Sequence, residues 1–294
     1  MSEPIGPLPP APLQHPAHVT LGAALFESVI MSEDGQVSCK SCHVPEHGFA
    51  EDRSVSRPAG RSPMAKNTPS LLNVAHLQSF NWDGRYESLE DHLDALIHNP
   101  MVHGTTWGAL EGRLRRDERW RAAFGAAFAD GVTGVNARAA LLAYERSLVS
   151  TGAAFDRWLL GDTDAISSQA LEGYALFKSR GCVSCHQGAL VGGNLFQRLG
   201  IIKPYYEDVA IGEGDLGRYD VTGREEDKHV FRVPSLRNVA LTAPYLHDGS
   251  LPTLQLAVSA MASYQLGRSL DDEQVEKIVA FLEALSGAPP QEQP

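Results

Sequence analysis

The chain has 294 residues, 43% of them hydrophobic and 21% charged, with a formal net charge of −11 at pH 7. This is long enough for two hydrophobic cores and ordinary for a globular protein. The acidic balance argues against nucleic acid and suits a basic protein partner, and no apolar run approaches the length of a membrane span.

Met1 to Pro16 is rich in proline, with no basic n-region and no apolar h-region. It is expected to be the trimmed start of a mature form, without regular structure. Gly22-Ala23-Ala24-Leu25-Phe26 then leads toward Cys39-Lys40-Ser41-Cys42-His43. Gly173-Tyr174-Ala175-Leu176-Phe177 leads in the same way into Cys182-Val183-Ser184-Cys185-His186, an internal repeat of a short helix feeding a turn. Cys-x-x-Cys-His is the attachment signature of c-type haem. Two thiols about one helical turn apart add to two vinyl groups of one haem, and the adjoining His ligates the iron from below.

A lone Cys-x-x-Cys also serves as a redox dithiol or half of a zinc site. Here two copies, each followed by His, use all four cysteines. Zinc would more naturally gather both pairs at short spacing, whereas these lie about 140 residues apart. Two covalent haems are therefore expected, one in each of two cytochrome c-like domains, residues 17–160 and 161–294. Covalent haem attachment takes place outside the bacterial cytoplasmic membrane, so the periplasm is the expected location.

Between the motifs, Val44 to Lys66 is polar and rich in Gly, Pro and Arg, a long loop of the kind that is usually functional. Ser88-Leu89-Glu90-Asp91 reads as a capping box opening a helix with Leu89, Leu93 and Leu96 on one face. A second helix is predicted from about Asn136 to Leu148, with Leu141, Tyr144 and Leu148 aligned, and a turn at Gly161-Asp162-Thr163-Asp164 marks the domain boundary. Gly188 to His229 is rich in loops. Val275, Ile278, Val279, Leu282 and Leu285 form a C-terminal amphipathic helix, capped by Ser269 with Asp272 and stopped by Gly287 and Pro289. Beyond short hairpin-like pieces there is no strand pattern, so the fold is expected to be mainly α.

Asn67-Thr68-Pro69-Ser70-Leu71-Leu72-Asn73 and Trp82-Asp83-Gly84-Arg85 follow the first motif. Phe231-Arg232-Val233-Pro234-Ser235-Leu236-Arg237-Asn238-Val239 and Pro244-Tyr245-Leu246-His247-Asp248-Gly249 follow the second. With the two ordered haem motifs, these stretches make the chain from Leu21 to Leu285 resemble the bacterial di-haem cytochrome c peroxidases. The resemblance implies reduction of hydrogen peroxide to water at a peroxidatic N-terminal haem domain, with electrons entering through the C-terminal haem from a small donor protein, a cytochrome c or a cupredoxin. It is compatible with a homodimer.

The resemblance also implies roles for single residues. Met261 matches the methionine that completes the second haem's axial pair with His186, and thioether ligation raises the potential of an electron-entry site; Met261 read alone is a core filler. Trp82 matches a tryptophan between the haems, where an indole shortens the electron path. Asn67, Thr242 and Pro244 match positions that hold one calcium ion, the last two through backbone oxygens. Arg232 and Arg237 are placed to pair with haem propionates or lie on a solvated surface.

Two departures stand out. The loop after the first haem, which in relatives carries an iron-blocking His, reads Pro58-Ala59-Gly60-Arg61-Ser62, and its one His, His47, is too near His43 in sequence; the first iron is expected to be open. Where the family has Glu-Met-Gly this chain reads Val102-His103-Gly104, so the carboxylate that serves peroxide is missing. His98, assigned to a position where the family often has Gln, and His103 are the candidate acid–base substitutes. Related enzymes that mature a tryptophan-derived cofactor carry Tyr in place of the ligand Met; Tyr264 keeps open a reading as an oxidase modifying a partner protein through high-valent haems. A di-haem electron carrier is the third reading.

Overall fold

The computed structural model describes residues 3–208 and 215–288. Its helices are α1 (Pro16–Glu27), α2 (Leu89–His98), α3 (Trp107–Arg116), α4 (Glu118–Ala127), α5 (Gly134–Ser147), α6 (Ala154–Leu159), α7 (Ser168–Arg180), the single turns α8 (Tyr205–Asp208) and α9 (Tyr219–Thr222), α10 (Leu254–Ala260) and α11 (Asp272–Glu283). Three-residue strands β1 (Phe196–Arg198) and β2 (Val230–Arg232) pair antiparallel, with Gln197 opposite Phe231. The fold is mainly α, as expected.

The sequence repeat marks where helices cross. A Cβ on Gly22 would lie 2.0 Å from the Ala140 carbonyl oxygen, so α1 rests directly on the backbone of α5. Gly173 does the same for α7 on α11, with 1.8 Å to the Lys277 oxygen. Four residues on, each repeat supplies a Phe whose ring sits beside the following motif's His: Phe26 at 6.5 Å from His43 and Phe177 at 6.4 Å from His186. Two hydrophobic cores result. One gathers Leu21, Leu25, Phe26, Leu93, Ile97 and Leu141; the other gathers Phe155, Tyr174, Phe177, Val258, Ile278 and Phe281.

The duplication runs well beyond the haem motifs and the helices that feed them. Pro69-Ser70-Leu71-Leu72-Asn73-Val74-Ala75 recurs as Pro234-Ser235-Leu236-Arg237-Asn238-Val239-Ala240. Asn73 and Asn238 both adopt the left-handed conformation, and the side-chain amides of both donate to Ser150 Oγ, at 3.1 and 2.7 Å. Ser150 thus joins the two halves. Next, Phe80 bridges Tyr86 and Tyr245 bridges Leu251, and two residues later Ser88 and Thr253 cap α2 and α10 through their side chains. Trp82 and His247 occupy equivalent places in these two turns and meet edge to face at 6.4 Å.

Local differences from the sequence reading have packing causes. On α2 the buried residues are Leu89, Leu93 and Ile97, with Leu96 turned partly outward; the residue at i+8 follows the helical period. The long helix begins at Gly134 and ends at Ser147, leaving Leu148 buried just beyond it. On α11 the cap is Asp271, whose carboxylate accepts from the Gln274 amide at 2.8 Å, in place of Ser269; Pro289 lies outside the described residues. Residues 3–15 form no helix or strand yet are tied to the second core. Ile5 is 1% exposed within it, and Glu3 accepts from the Tyr174 hydroxyl at 2.6 Å.

Candidate haem sites

Each Cys-x-x-Cys-His opens in a single 3-10 turn, Cys39–Ser41 and Cys182–Ser184. In both, the His amide donates to the first Cys carbonyl at 3.0 Å. His43 Nδ1 donates to the Phe49 carbonyl at 3.0 Å, and His186 Nδ1 to the Val191 carbonyl at 3.2 Å. With the proton held at Nδ1, Nε2 carries the free lone pair, the tautomer an axial iron ligand needs. Burial pushes both imidazoles below the usual histidine range, His186 to about 4. Close backbone approach fixes the second loop: a Cβ on Gly192, at φ 132°, would sit 2.2 Å from the Pro234 oxygen. Among the described residues no group of three or more His, Cys, Asp or Glu side chains is placed to hold an ion, so the two cysteine pairs are not gathered into one zinc site.

One cavity is lined by Cys182, Cys185, His186 and Met261, with Trp82 and Arg237 also on its wall. Met261 begins a single π turn, Met261–Gln265, at the end of α10, an irregularity common at functional positions. Arg237 is buried, not solvated. Its Nη2 lies 2.7 Å from Asp156 Oδ1 and donates to the Gly6 carbonyl, its Nε donates to the Ala189 carbonyl, and its Nη1 is buried without a partner. An unpaired buried guanidinium N–H is costly, and a propionate is the group that would satisfy it. Arg232 is also buried, donating from Nε to the Asn81 carbonyl at 3.2 Å; burial pushes it down to about 10. Thiol pairs, free Nε2 atoms, cavity and orphan donor fit covalent haem.

Trp82 lines this cavity while its Nε1 donates to the Asn67 carbonyl at 2.9 Å and its own carbonyl accepts from the Arg232 amide. Asn67, Thr242 and Pro244 share the same wall; the Asn67 amide nitrogen is spent on the Arg53 and Ser54 carbonyls. His47 is exposed.

At the first motif the two candidate histidines part. His98 is exposed at the end of α2. His103 is 3% exposed, with Nε2 3.7 Å from Cys39 Sγ and Nδ1 unpartnered. Burial, then the neighbouring Arg61, His43 and Arg113 charges against an opposing Asp34, pushes His103 down to about 4. Arg61 donates to the Val102 carbonyl and pairs with Asp34 at 2.8 Å, pinning the loop beside the position of the missing Glu. Sequence reasoning alone does not single out His92 on α2. Its Nε2 lies 2.9 Å from Asn81 Oδ1, it stacks on Phe80, and it stands near enough to His43 and Arg232 for their charges to act on it. The repeated turn before α2 and α10 is the signal that could have found it.

A mainly helical chain with two duplicated halves, each presenting a Cys-x-x-Cys-His turn beside a crossed helix pair, fits a protein that holds two haems. The di-haem cytochrome c peroxidase family profile matches residues 16–164, and the chain belongs to that family. It is 38% identical over 292 residues to the cytochrome c551 peroxidase of Nitrosomonas europaea, covering 98% of this chain and 86% of that one. It is 31% identical to the methylamine utilization protein MauG of Methylophilus methylotrophus, covering 95% and 86%. The crystal structure of a MauG-like protein associated with microbial copper homeostasis superposes with a TM-score of 0.81 at 25% identity, covering 98% of this chain and 95% of that one.

Proposed function

We propose that the chain is a peroxidase of two cytochrome c-like domains, residues 17–160 and 161–294 save that α6 packs its Phe155 into the second core, each domain carrying one covalent c-type haem. It reduces hydrogen peroxide with two electrons and two protons to two waters. The haems supply the iron that binds peroxide and the store for electrons. The single observation that carries the reading is the asymmetry between the duplicated halves. Met261 and Leu96 both lie eight residues after their helix cap. Met261 shares a cavity with His186, whereas a Leu side chain has no lone pair to offer an iron. One site is thus suited to electron entry and the other to an open peroxide position, and Arg61 ties down the loop that carries a blocking ligand in relatives.

Trp82, on the cavity wall and adjacent to Asn81, is the proposed electron relay. Asn67 Oδ1, left free by its anchored amide nitrogen, and the Thr242 and Pro244 backbone oxygens are the proposed calcium ligands. Of His98 and His103, the exposed His98 is the weaker acid–base candidate, and His103 is enclosed against the Cys39 edge. Electrons come from a small reduced cytochrome c or cupredoxin in the periplasm; among the described residues no helix is long and apolar enough to cross a membrane. Met261 lines the cavity with His186, which favours the peroxidase reading over a partner-modifying oxidase that would rest on Tyr264. The test is steady-state peroxide turnover with reduced cytochrome c. Sustained donor oxidation is expected, and a protein that carries both haems yet turns over no peroxide would return the electron-carrier reading.

A further inference from the structure

The duplicated halves allow the distal side of one site to be read from the other. Met261, eight residues after the Thr253 cap and just past α10, and Ala257 and Val258, four and five residues after it on α10, line the cavity that holds His186. The same offsets from Ser88 give Leu96, His92 and Leu93 on α2. By the duplication, the face of α2 holding His92 is the counterpart of the α10 face that lines the cavity with His186. His92 keeps accessible surface, unlike His103 at 3%, and its exposed neighbour His98 lies off this face.

We propose that His92 is the residue that moves the proton of peroxide at the first site. Its Nε2–H is committed to Asn81 Oδ1, at 2.9 Å, so Nδ1 holds a lone pair. The rings of Phe80 and Tyr86, 5.7 and 5.5 Å from its own, hold it in place. Peroxide held at the first site would give the proton of its inner oxygen, the one nearer the haem iron, to Nδ1. Nδ1 returns it to the outer oxygen, the O–O bond breaks, and that oxygen leaves as water. The inner oxygen becomes the second water on receipt of two electrons from the donor protein and two protons from solvent. Burial, with smaller contributions from the His43 and Arg232 charges, pushes the His92 imidazole down to about 4, so it is neutral and able to accept at neutral pH.

The inference rests on the peroxidase reading, and a ligand that must also shed a proton separates the two. Hydrogen cyanide binds ferric iron as its anion, so its association rate reads the distal base without turnover. In the full chain carrying both haems, H92A and H92Q should each slow cyanide association and the reaction with peroxide by about 10²-fold or more. The H92Q amide can still donate to Asn81, so it preserves the packing and remains informative if H92A fails to fold. H92Q behaving as wild type in both assays overturns the proposal. Wild-type protein with His92-dependent cyanide binding but no peroxide turnover supports it while overturning the peroxidase reading alone.

Discussion

Among single residues, burial decides which groups carry charge. Glu145 on α5 is 6% exposed, and burial, supported by Glu90 and opposed by Arg146, pushes its carboxyl up to about 8. The unfolded chain ionises this group near its ordinary value of 4.5. Between these two pH values the folded state holds a proton that the unfolded state has released, so this group makes stability fall as pH rises from about 4.5 to about 8 and level off above. The size is on the order of 5 kcal/mol. E145Q should flatten that stretch of the curve and raise stability at pH 8, measured by urea denaturation at a series of pH values. An unchanged slope would mean that the carboxyl is ionised in the folded protein.

Between elements, the glycines at the two helix crossings serve close approach. G173A places a methyl within 1.8 Å of the Lys277 oxygen, and overpacking of this kind costs about 1–3 kcal/mol or more. Gly112 in the middle of α3 has open space, with nothing within 4 Å of where a Cβ would stand, so G112A should stabilise by about 0.5–1 kcal/mol. Thermal denaturation of both variants checks the contrast, and equal shifts would remove the crossing argument. The α2 and α10 equivalence has its own spectroscopic consequence. Electron paramagnetic resonance of the oxidised protein should show one high-spin and one low-spin ferric signal. L96M should convert part of the high-spin signal to low spin, because it places a thioether where Met261 stands in the other half. Two low-spin signals in the wild-type resting state would mean that another group closes the first site.

Across the entire fold, the two sites share a framework and differ in what the second side of each offers. Replacing Met261 by His should lower the potential of the second haem, since imidazole favours ferric iron more than thioether does. A redox titration unchanged by M261H would take Met261 off the ligand set. Ser150, Asn73 and Asn238 tie the two halves together, and Trp82 and His247 meet edge to face between the equivalent turns.

Whatever depends on short local spacing is legible in the chain read in order. Cys-x-x-Cys-His places thiols and imidazole within one turn, and a periodic run makes α11. These properties depend on neighbours a few residues away, and folding does not change them. The buried face of α2 is different: the pattern points to Leu96 where burial chooses Ile97, and the acid–base candidates it offers, His98 and His103, leave out His92. Sequence order does not say which side of a short helix meets a haem, because that depends on the Phe80–Tyr86 turn that aims the helix. Arg237 is equally open to surface and propionate until packing shows it buried on Asp156 and Gly6, two partners more than 80 and 230 residues away. The N-terminal segment joins the second core for the same reason. Long-range burial is a property of the assembled fold, and the electrostatics of each site follow from it.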